Sequence, residues 1–231
     1  MSRSCRSRRS HAPPCSRDDP QPFPRRIAAM TAPPPDIWRL FWMTPVTPSR
    51  EILQALTDLE RWRSVLKIVR PEQLHLTLKF LGDTPTERLE EILRAGRATW
   101  NGLSLVPVAG HGVGVFPPRG RPRVLWVGLK NAHALIGLAE QLDRAMHQLG
   151  YAPEGRTFLP HLTLARIRGD VPRPLQRWLE DHRETTFGEL PLPQLVLCRS
   201  QLTPQGAIYT PLEAFPLDSA AGTSAEEGCH A

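Results

Sequence analysis

The sequence His-Leu-Thr-Leu occurs twice in this chain, at residues 75–78 and again, unchanged, at residues 161–164. Each copy follows a segment rich in strand-forming residues and then a long segment whose apolar residues recur at helical spacing. Each copy is also followed by a Gly-Asp pair, at residues 82–83 and 169–170. Repeated sequence in matching surroundings indicates a duplicated structural unit. We therefore predict two similar halves related by a pseudo-twofold axis.

The alternation of side chains along a β-strand places the histidine and the threonine of each copy on one face. Residues i and i+2 of a strand point the same way, so His75 shares a face with Thr77, and His161 shares a face with Thr163. The leucines of each copy point to the other face, toward a core. If the halves pair about the axis, two imidazoles and two hydroxyls meet in one cleft.

This set of groups is suited to cleaving a phosphodiester without a metal ion. Imidazole titrates near neutral pH, so one ring can be an uncharged base while the other is a charged acid. The threonine hydroxyls can donate hydrogen bonds to the phosphate oxygens on which negative charge builds. A single His-x-Thr in a strand is usually structural, but core packing alone would retain only the leucines. The identical repeat therefore favours a functional role.

Strands and helices are predicted to alternate outward from the two repeats. Strand-forming composition predicts strands at residues 38–43, 74–81, 103–108, 123–129, 159–167, 195–203 and 207–215. Helical spacing predicts helices at residues 48–66, from residue 84 onward, 132–149 and 172–182. Thr84 is expected to cap the second helix and Gly82-Asp83 to close the strand before it. The glycine-rich segment 110–122 is expected to be a loop.

The composition is that of an ordinary globular protein, except at the two ends of the chain. Hydrophobic residues make up 40% and charged residues 23%, and no apolar run is long enough for a membrane helix. Most of the net charge of +6 comes from the first 29 residues, which contain seven arginines and two aspartates. The remaining body is nearly neutral, so bulk charge does not mark the protein as a nucleic-acid binder.

The predicted domain spans residues 37–216, between a disordered Arg/Pro-rich extension at 1–36 and a disordered tail at 217–231. The extension is open to three interpretations: an artefact upstream of a start at Met30, a transit peptide without an amphipathic face, or a native disordered segment. The four cysteines show no short-range pairing pattern, which favours the reducing cytoplasm. A monomer is expected, because the duplicated halves already supply an internal twofold.

The paired His-x-Thr-x motif resembles the mark of the two-histidine (2H) phosphoesterase superfamily. Within it, the chain is most similar to the RNA 2′,3′-cyclic phosphodiesterase family, also called 2′-5′ RNA ligase. Four segments carry the similarity in the same order: RLFW, PEQLHLTLKFLGD, GVFPPRGRPRVLWVGL and FLPHLTLAR. The resemblance implies an α+β fold, a bilobal duplicated domain with antiparallel sheets around a central groove and flanking helices.

The resemblance also implies an activity: hydrolysis of a terminal 2′,3′-cyclic phosphate to a 2′-phosphomonoester, without metal or other cofactor. The substrates would be RNA 3′ ends or small cyclic phosphates. On this resemblance His75 is the general acid toward the departing O3′ and His161 is the base that activates water. Thr77 and Thr163 match the phosphate-binding threonines of the family.

Phe80 and Arg166 each follow their histidine by five residues, and they match family positions that contact the base or ribose and the phosphate. Strand alternation opposes this match, because an offset of five places a residue on the other face. Either a bulge or strand end intervenes, or Lys79 serves in place of Phe80.

Other functions stay open at this point. The chain could be a related two-histidine esterase of another cyclic or 2′-5′ nucleotide, an RNA ligase, or a non-catalytic module that binds RNA ends. A zinc site at the two histidines lacks a further ligand at a recognisable spacing. The arginines within residues 119–123 could steer an RNA backbone, or form a solvated loop.

Overall fold

A computed structural model describes residues 36–100, 108–204 and 206–216. The predicted extension and tail lie outside these ranges, apart from residue 36, as does most of the strand predicted at 103–108. The strands of the described ranges are β1 (Ile37–Pro45), β2 (Leu66–Ile68), β3 (His75–Pro85), β4 (Val108–Phe116), β5 (Val124–Lys130), β6 (His161–Ile167), β7 (Thr186–Leu190), β8 (Gln194–Thr203) and β9 (Gly206–Pro216). The α-helices are α1 (Arg50–Leu59), α2 (Leu89–Trp100), α3 (His133–Gln148) and α4 (Arg173–Asp181).

The strands form two antiparallel sheets whose order repeats. The first sheet has the order β3-β1-β8-β9, and the second has the order β2-β6-β5-β4-β7. The two copies of the repeat occupy equivalent places, because β3 lies beside β1 and then β8, just as β6 lies beside β5 and then β4. The second sheet differs by one additional edge strand, β2. The predicted α+β fold, with a duplicated architecture and flanking helices, is confirmed.

Each half supplies a helix to the sheet of the other half. Helix α1 packs against β7 and β2 of the second sheet, whereas α3 packs against β3 of the first sheet and against α2. The buried residues of these helices recur at helical spacing: Ile52, Ala55, Leu56 and Leu59 on α1, and Leu135, Leu138, Leu142 and Met146 on α3. The exchange joins the two lobes through one hydrophobic core.

Two element boundaries in the first half differ from the prediction. Helix α1 ends at Leu59 rather than near residue 66, because residues 66–68 form β2, which pairs with β6. Strand β3 continues through Gly82-Asp83, because residues 82–85 pair with the start of β1. Thr84 is therefore buried inside a strand and does not cap a helix, and α2 begins only at Leu89.

The glycine-rich segment predicted as a loop is mainly strand β4. A Cβ on Gly114 would lie 2.3 Å from the indole ring of Trp126, so only glycine lets this ring lie against the strand. Glycine here permits close packing rather than a turn. The predicted end of α3 is confirmed, because Gly150 follows it with a φ of +88°. No helix in the described ranges is long and apolar enough to cross a membrane.

Candidate active site

The two histidines are the first residues of equivalent strands. His75 opens β3 and lies opposite Pro45, and His161 opens β6 and lies opposite Gly128. Strands β3 and β6 contact each other where the two lobes meet. The structure thus brings the predicted pair together, each on the face of its sheet that turns toward the other sheet. We call the space between these two faces the groove.

Both imidazoles make the same backbone hydrogen bond. Nδ1 of His75 lies 2.7 Å from the carbonyl oxygen of Gln73, and Nδ1 of His161 lies 2.8 Å from that of Leu159. A carbonyl oxygen only accepts, so Nδ1 is the protonated nitrogen in both rings. Each Nε2 is therefore the atom left to accept or donate a proton in the groove.

Each imidazole also packs edge to face against an aromatic ring. The ring centroids of His75 and Tyr209 are 5.0 Å apart at 76°, and those of His161 and Phe116 are 5.0 Å apart at 85°. Such contacts restrict the rotation that a single hydrogen bond leaves open. The sequence analysis did not identify either aromatic residue as part of the site, although Phe116 falls within one of the motifs that carry the resemblance.

The pKa of His75 lies below its usual value. Burial lowers this pKa because it disfavours the charged ring, and the positive charges of Arg166 and His161 lower it further. The hydrogen bond to the Gln73 carbonyl opposes them by raising the pKa. In the ligand-free protein His75 is therefore uncharged at neutral pH. An anion bound beside Arg166 would oppose the electrostatic part of this effect.

Each threonine lies two residues after its histidine, on the same face of the strand. Thr77 is opposite Met43 and Thr163 is opposite Trp126, and both threonines are half-buried. Within the described ranges neither hydroxyl has a hydrogen-bond partner. Both are thus available to donate to a ligand in the groove.

A bulge in β3 resolves the conflict over Phe80. Thr77 pairs with Met43 and Lys79 pairs with the preceding residue of β1, so Leu78 is left without a partner. The alternation of faces inverts there, because Leu78 and Lys79 are consecutive buried residues. Phe80 consequently lies on the groove face with 58% of its surface exposed.

The same bulge occurs in β6. Thr163 pairs with Trp126 and Ala165 pairs with the preceding residue of β5, so Leu164 is skipped. Arg166 is then exposed on the groove face, in agreement with its effect on the pKa of His75. Each copy of the repeat therefore forms a strand with a bulge. This bulge is what allows a residue five positions after the histidine to lie on the same face as the histidine, and it is present in both lobes.

Lys79 points away from the groove, so it does not take the place of Phe80. Its Nζ lies 2.7 Å from Oδ1 of Asp143 and 3.6 Å from Oε1 of Glu154, and it donates a 2.6 Å hydrogen bond to the carbonyl of Ala152. Burial tends to raise the pKa of Asp143, but hydrogen bonds from Lys79 and from the amide of Glu154 lower it overall. Lys79 therefore links β3 to α3 through a buried ion pair.

The groove face of the first sheet is apolar. Phe41, Met43, Val196 and Cys198 form a small separate core there, with Tyr209 packed against it. The Phe41 ring lies 5.7 Å from that of His75 and 5.9 Å from that of Phe80. Burial raises the pKa of the Cys198 thiol to about 11, so this cysteine stays uncharged within the core.

No group of three or more His, Cys, Asp or Glu residues suited to a metal ion occurs in the part of the chain that the structure describes.

A family model for LigT-like phosphoesterases matches residues 44–126 and, a second time, residues 127–209. The chain belongs to this family. Each match contains one His-Leu-Thr-Leu copy, so the family model recurs with the sequence repeat of this phosphoesterase.

Curated relatives and solved structures agree with this membership. The phosphoesterase is 37% identical over 153 residues to the RNA 2′,3′-cyclic phosphodiesterase of Methanothermobacter thermautotrophicus, spanning 66% of this chain and 83% of the relative. It is 34% identical over 184 residues to the protein of that name from Thermus thermophilus, spanning 77% and 88%.

Two crystal structures show the same fold. A Thermus thermophilus protein, 34% identical, superposes with a TM-score of 0.65 over 78% of this chain and 97% of its own. E. coli LigT complexed with 3′-AMP, 25% identical, gives a TM-score of 0.59 over 79% and 99%.

Proposed function

We propose that this phosphoesterase hydrolyses the terminal 2′,3′-cyclic phosphate of RNA to a 2′-phosphomonoester. The observation that supports this most is the matched pair of imidazoles, each with Nδ1 bonded to a backbone carbonyl and Nε2 free in one groove. The relatives named RNA 2′,3′-cyclic phosphodiesterase support the substrate class.

In the proposed reaction a water oxygen attacks phosphorus and the bond from phosphorus to O3′ breaks. One Nε2 takes the proton of the attacking water, and the other Nε2 gives its proton to O3′, which leaves as a hydroxyl. The phosphate remains on O2′. Thr77 and Thr163 donate hydrogen bonds to the non-bridging oxygens, which carry more negative charge in the transition state. No metal ion takes part in these steps.

The resemblance makes His75 the acid and His161 the base. An acid must be protonated, whereas His75 is uncharged in the ligand-free protein because its pKa is lowered. The assignment therefore requires His75 to gain its proton together with the substrate, whose negative charge offsets that of Arg166. In the opposite assignment His75 starts uncharged and activates water directly.

Phe80 and Arg166 extend the proposed site beyond the reacting atoms. Phe80 is exposed beside His75 and offers a flat ring for a nucleobase, a contact worth about 1–3 kcal/mol per base. Arg166 supplies positive charge for the phosphate.

The first test is hydrolysis of a short RNA ending in a 2′,3′-cyclic phosphate, in the presence of EDTA. We expect a 2′-phosphate product, and we expect His75→Ala and His161→Ala each to lower kcat by about 10²- to 10⁴-fold. A 3′-phosphate product, or loss of activity in EDTA, would contradict the proposal. A module that only binds RNA ends would give no product with the unmodified protein either.

A sulfur atom at the 3′ bridging position distinguishes the two histidine assignments. A thiolate leaves without a proton, because a thiol is far more acidic than a hydroxyl, with a pKa of about 8.5. The variant that lacks the acid should therefore regain activity on the sulfur substrate, while the variant that lacks the base should not. Recovery in His75→Ala supports the assignment that the resemblance implies, and recovery in His161→Ala supports the reverse.

We also propose that the protein acts as a monomer, because one chain supplies both histidines. Sedimentation of the active protein as a dimer would contradict this.

A further inference from the structure

A second cation, Lys67, lies beside Arg166 on the groove face. In the antiparallel pairing of β2 with β6, Lys67 is directly opposite Arg166. Residues directly opposite in such a pair project from the same face of the sheet. Because the bulge turns Arg166 into the groove, Lys67 also faces the groove. Its strand, β2, lies on the side of β6 away from β5, so Lys67 is farther from β5 than Arg166 by one strand spacing, about 4.8 Å.

The hairpin of the first sheet reaches the same place. A Cβ on Gly206, the first residue of β9, would lie 2.3 Å from Nζ of Lys67 and 3.1 Å from its Cε. Any other residue at this position would displace the ammonium group. The Lys67 amine is therefore located between β2 of the second lobe and the hairpin tip of the first lobe.

Among the described residues no carboxylate lies within ion-pair distance of Arg166. An anion in the groove can accept hydrogen bonds from the Arg166 guanidinium group, and the positive charge of Lys67 lies directly beside it. The arrangement thus indicates a site for a negatively charged ligand that continues outward from the two histidines.

We propose that Lys67 binds the internal phosphate on the 5′ side of the terminal nucleotide, so that the protein prefers an RNA strand to a single nucleotide. This inference rests on the proposed function, which places the cyclic phosphate between the histidines. Arg166 lies nearer to that phosphate, since its charge acts on His75. Lys67, the next cation outward, is positioned for the next phosphate of the strand.

The decisive comparison uses two substrates: an RNA oligonucleotide ending in a 2′,3′-cyclic phosphate, and a nucleoside 2′,3′-cyclic phosphate that has no other phosphate. Lys67→Met should lower kcat/KM about tenfold on the oligonucleotide and leave the nucleoside substrate unchanged. Lys67→Arg should retain the preference for the oligonucleotide, because it retains the charge.

Lys130→Met is the matched control. It removes the same charge from an exposed position at the far end of β5. Lys130 is six residues from Val124, the partner of Arg166, which corresponds to about 20 Å along the strand. We expect it to leave both substrates unchanged. Equal losses on both substrates with Lys67→Met, or equal effects of the two lysine variants, would overturn the inference.

A binding measurement separates this inference from the proposed function. The probe is a labelled RNA that ends in a 2′-phosphate, titrated by fluorescence anisotropy over a range of salt concentrations. The slope of log K against log salt should decrease by about 0.7 in Lys67→Met, and not in Lys130→Met. If the slope decreases although the protein hydrolyses neither substrate, the proposed function fails and the phosphate contact stands. An unchanged slope overturns the contact.

Discussion

The two lobes place the same strand in the same register and then differ at the residues around the bulge. In the first lobe the bulge turns Phe80 into the groove, and in the second lobe it turns Arg166 into the groove. Behind the bulge the first lobe has the buried, ion-paired Lys79, where the second has the fully buried Ala165.

This comparison separates what the duplication retained from what it changed. The shared backbone holds each imidazole through a carbonyl two residues earlier and places a threonine beside it. In the proposed reaction these features serve both proton transfers equally, the one from the attacking water and the one to the departing O3′. The lobes differ in Phe80 and Arg166, an aromatic ring and a positive charge. A nucleotide has a matching asymmetry, with a flat base at one end and charged phosphates at the other.

If the lobes contribute equally to phosphate binding, the two threonines should be equally important. Thr77→Val and Thr163→Val replace a hydroxyl by a methyl group of similar shape. Each should lower kcat by about 10²- to 10³-fold on a cyclic-phosphate RNA, because a donor to the transition state is lost. A large loss in one variant and none in the other would show that the lobes are not equivalent at this step.

The ion pair behind the bulge should matter for stability. Lys79→Met leaves Asp143 without its cation, so we expect the free energy of unfolding to decrease by about 3 kcal/mol in denaturant titrations. Arg94→Met is the control. It breaks an exposed pair with Glu90, and should cost less than about 1 kcal/mol. Similar losses in the two variants would contradict the buried role of Lys79.

The apolar side of the groove should be selective for the base. Phe80→Ala should raise KM for nucleotide substrates about tenfold, since a stacking contact is lost. Phe80→Trp should retain the original KM. A ribose 2′,3′-cyclic phosphate that lacks a base tests the cause, because the alanine variant should hydrolyse it as well as the unmodified protein does. An equal rise in KM for this compound would mean that Phe80 does not contact the base.

Local patterns explain what could be predicted from the sequence. The two-residue period of a strand relates His75 to Thr77, and the exact repeat identifies the duplication. From the sequence, a bulge could be predicted only as a condition for Phe80 and Arg166 to face the groove. Its presence depends on the register of β3 against β1 and of β6 against β5, which the sequence does not show. Tyr209 and Lys67 escaped the sequence analysis for the same reason: each is far in sequence from the residue that it meets in the groove, His75 for Tyr209 and Arg166 for Lys67, and only tertiary structure brings them together.

The mistaken elements have a related cause. Residues 66–68 form a strand only because the edge of β6 pairs with them, although the segment before them has helical spacing. The glycines of β4 predicted a loop because their partner, the ring of Trp126, comes from another strand. In both cases a tertiary contact decides a local structure that the sequence pattern leaves ambiguous.

The pH dependence of kcat/KM tests most directly whether two histidines of opposite protonation state perform the reaction. We predict a bell-shaped profile, whose limbs report the two macroscopic pKa values of the coupled pair. The positive charge of Arg166 lowers the pKa of His75, so Arg166→Gln should raise this pKa and move the limb that reports His75 to higher pH. A profile with one limb, or a profile whose two limbs both stay in place in Arg166→Gln, would contradict the account.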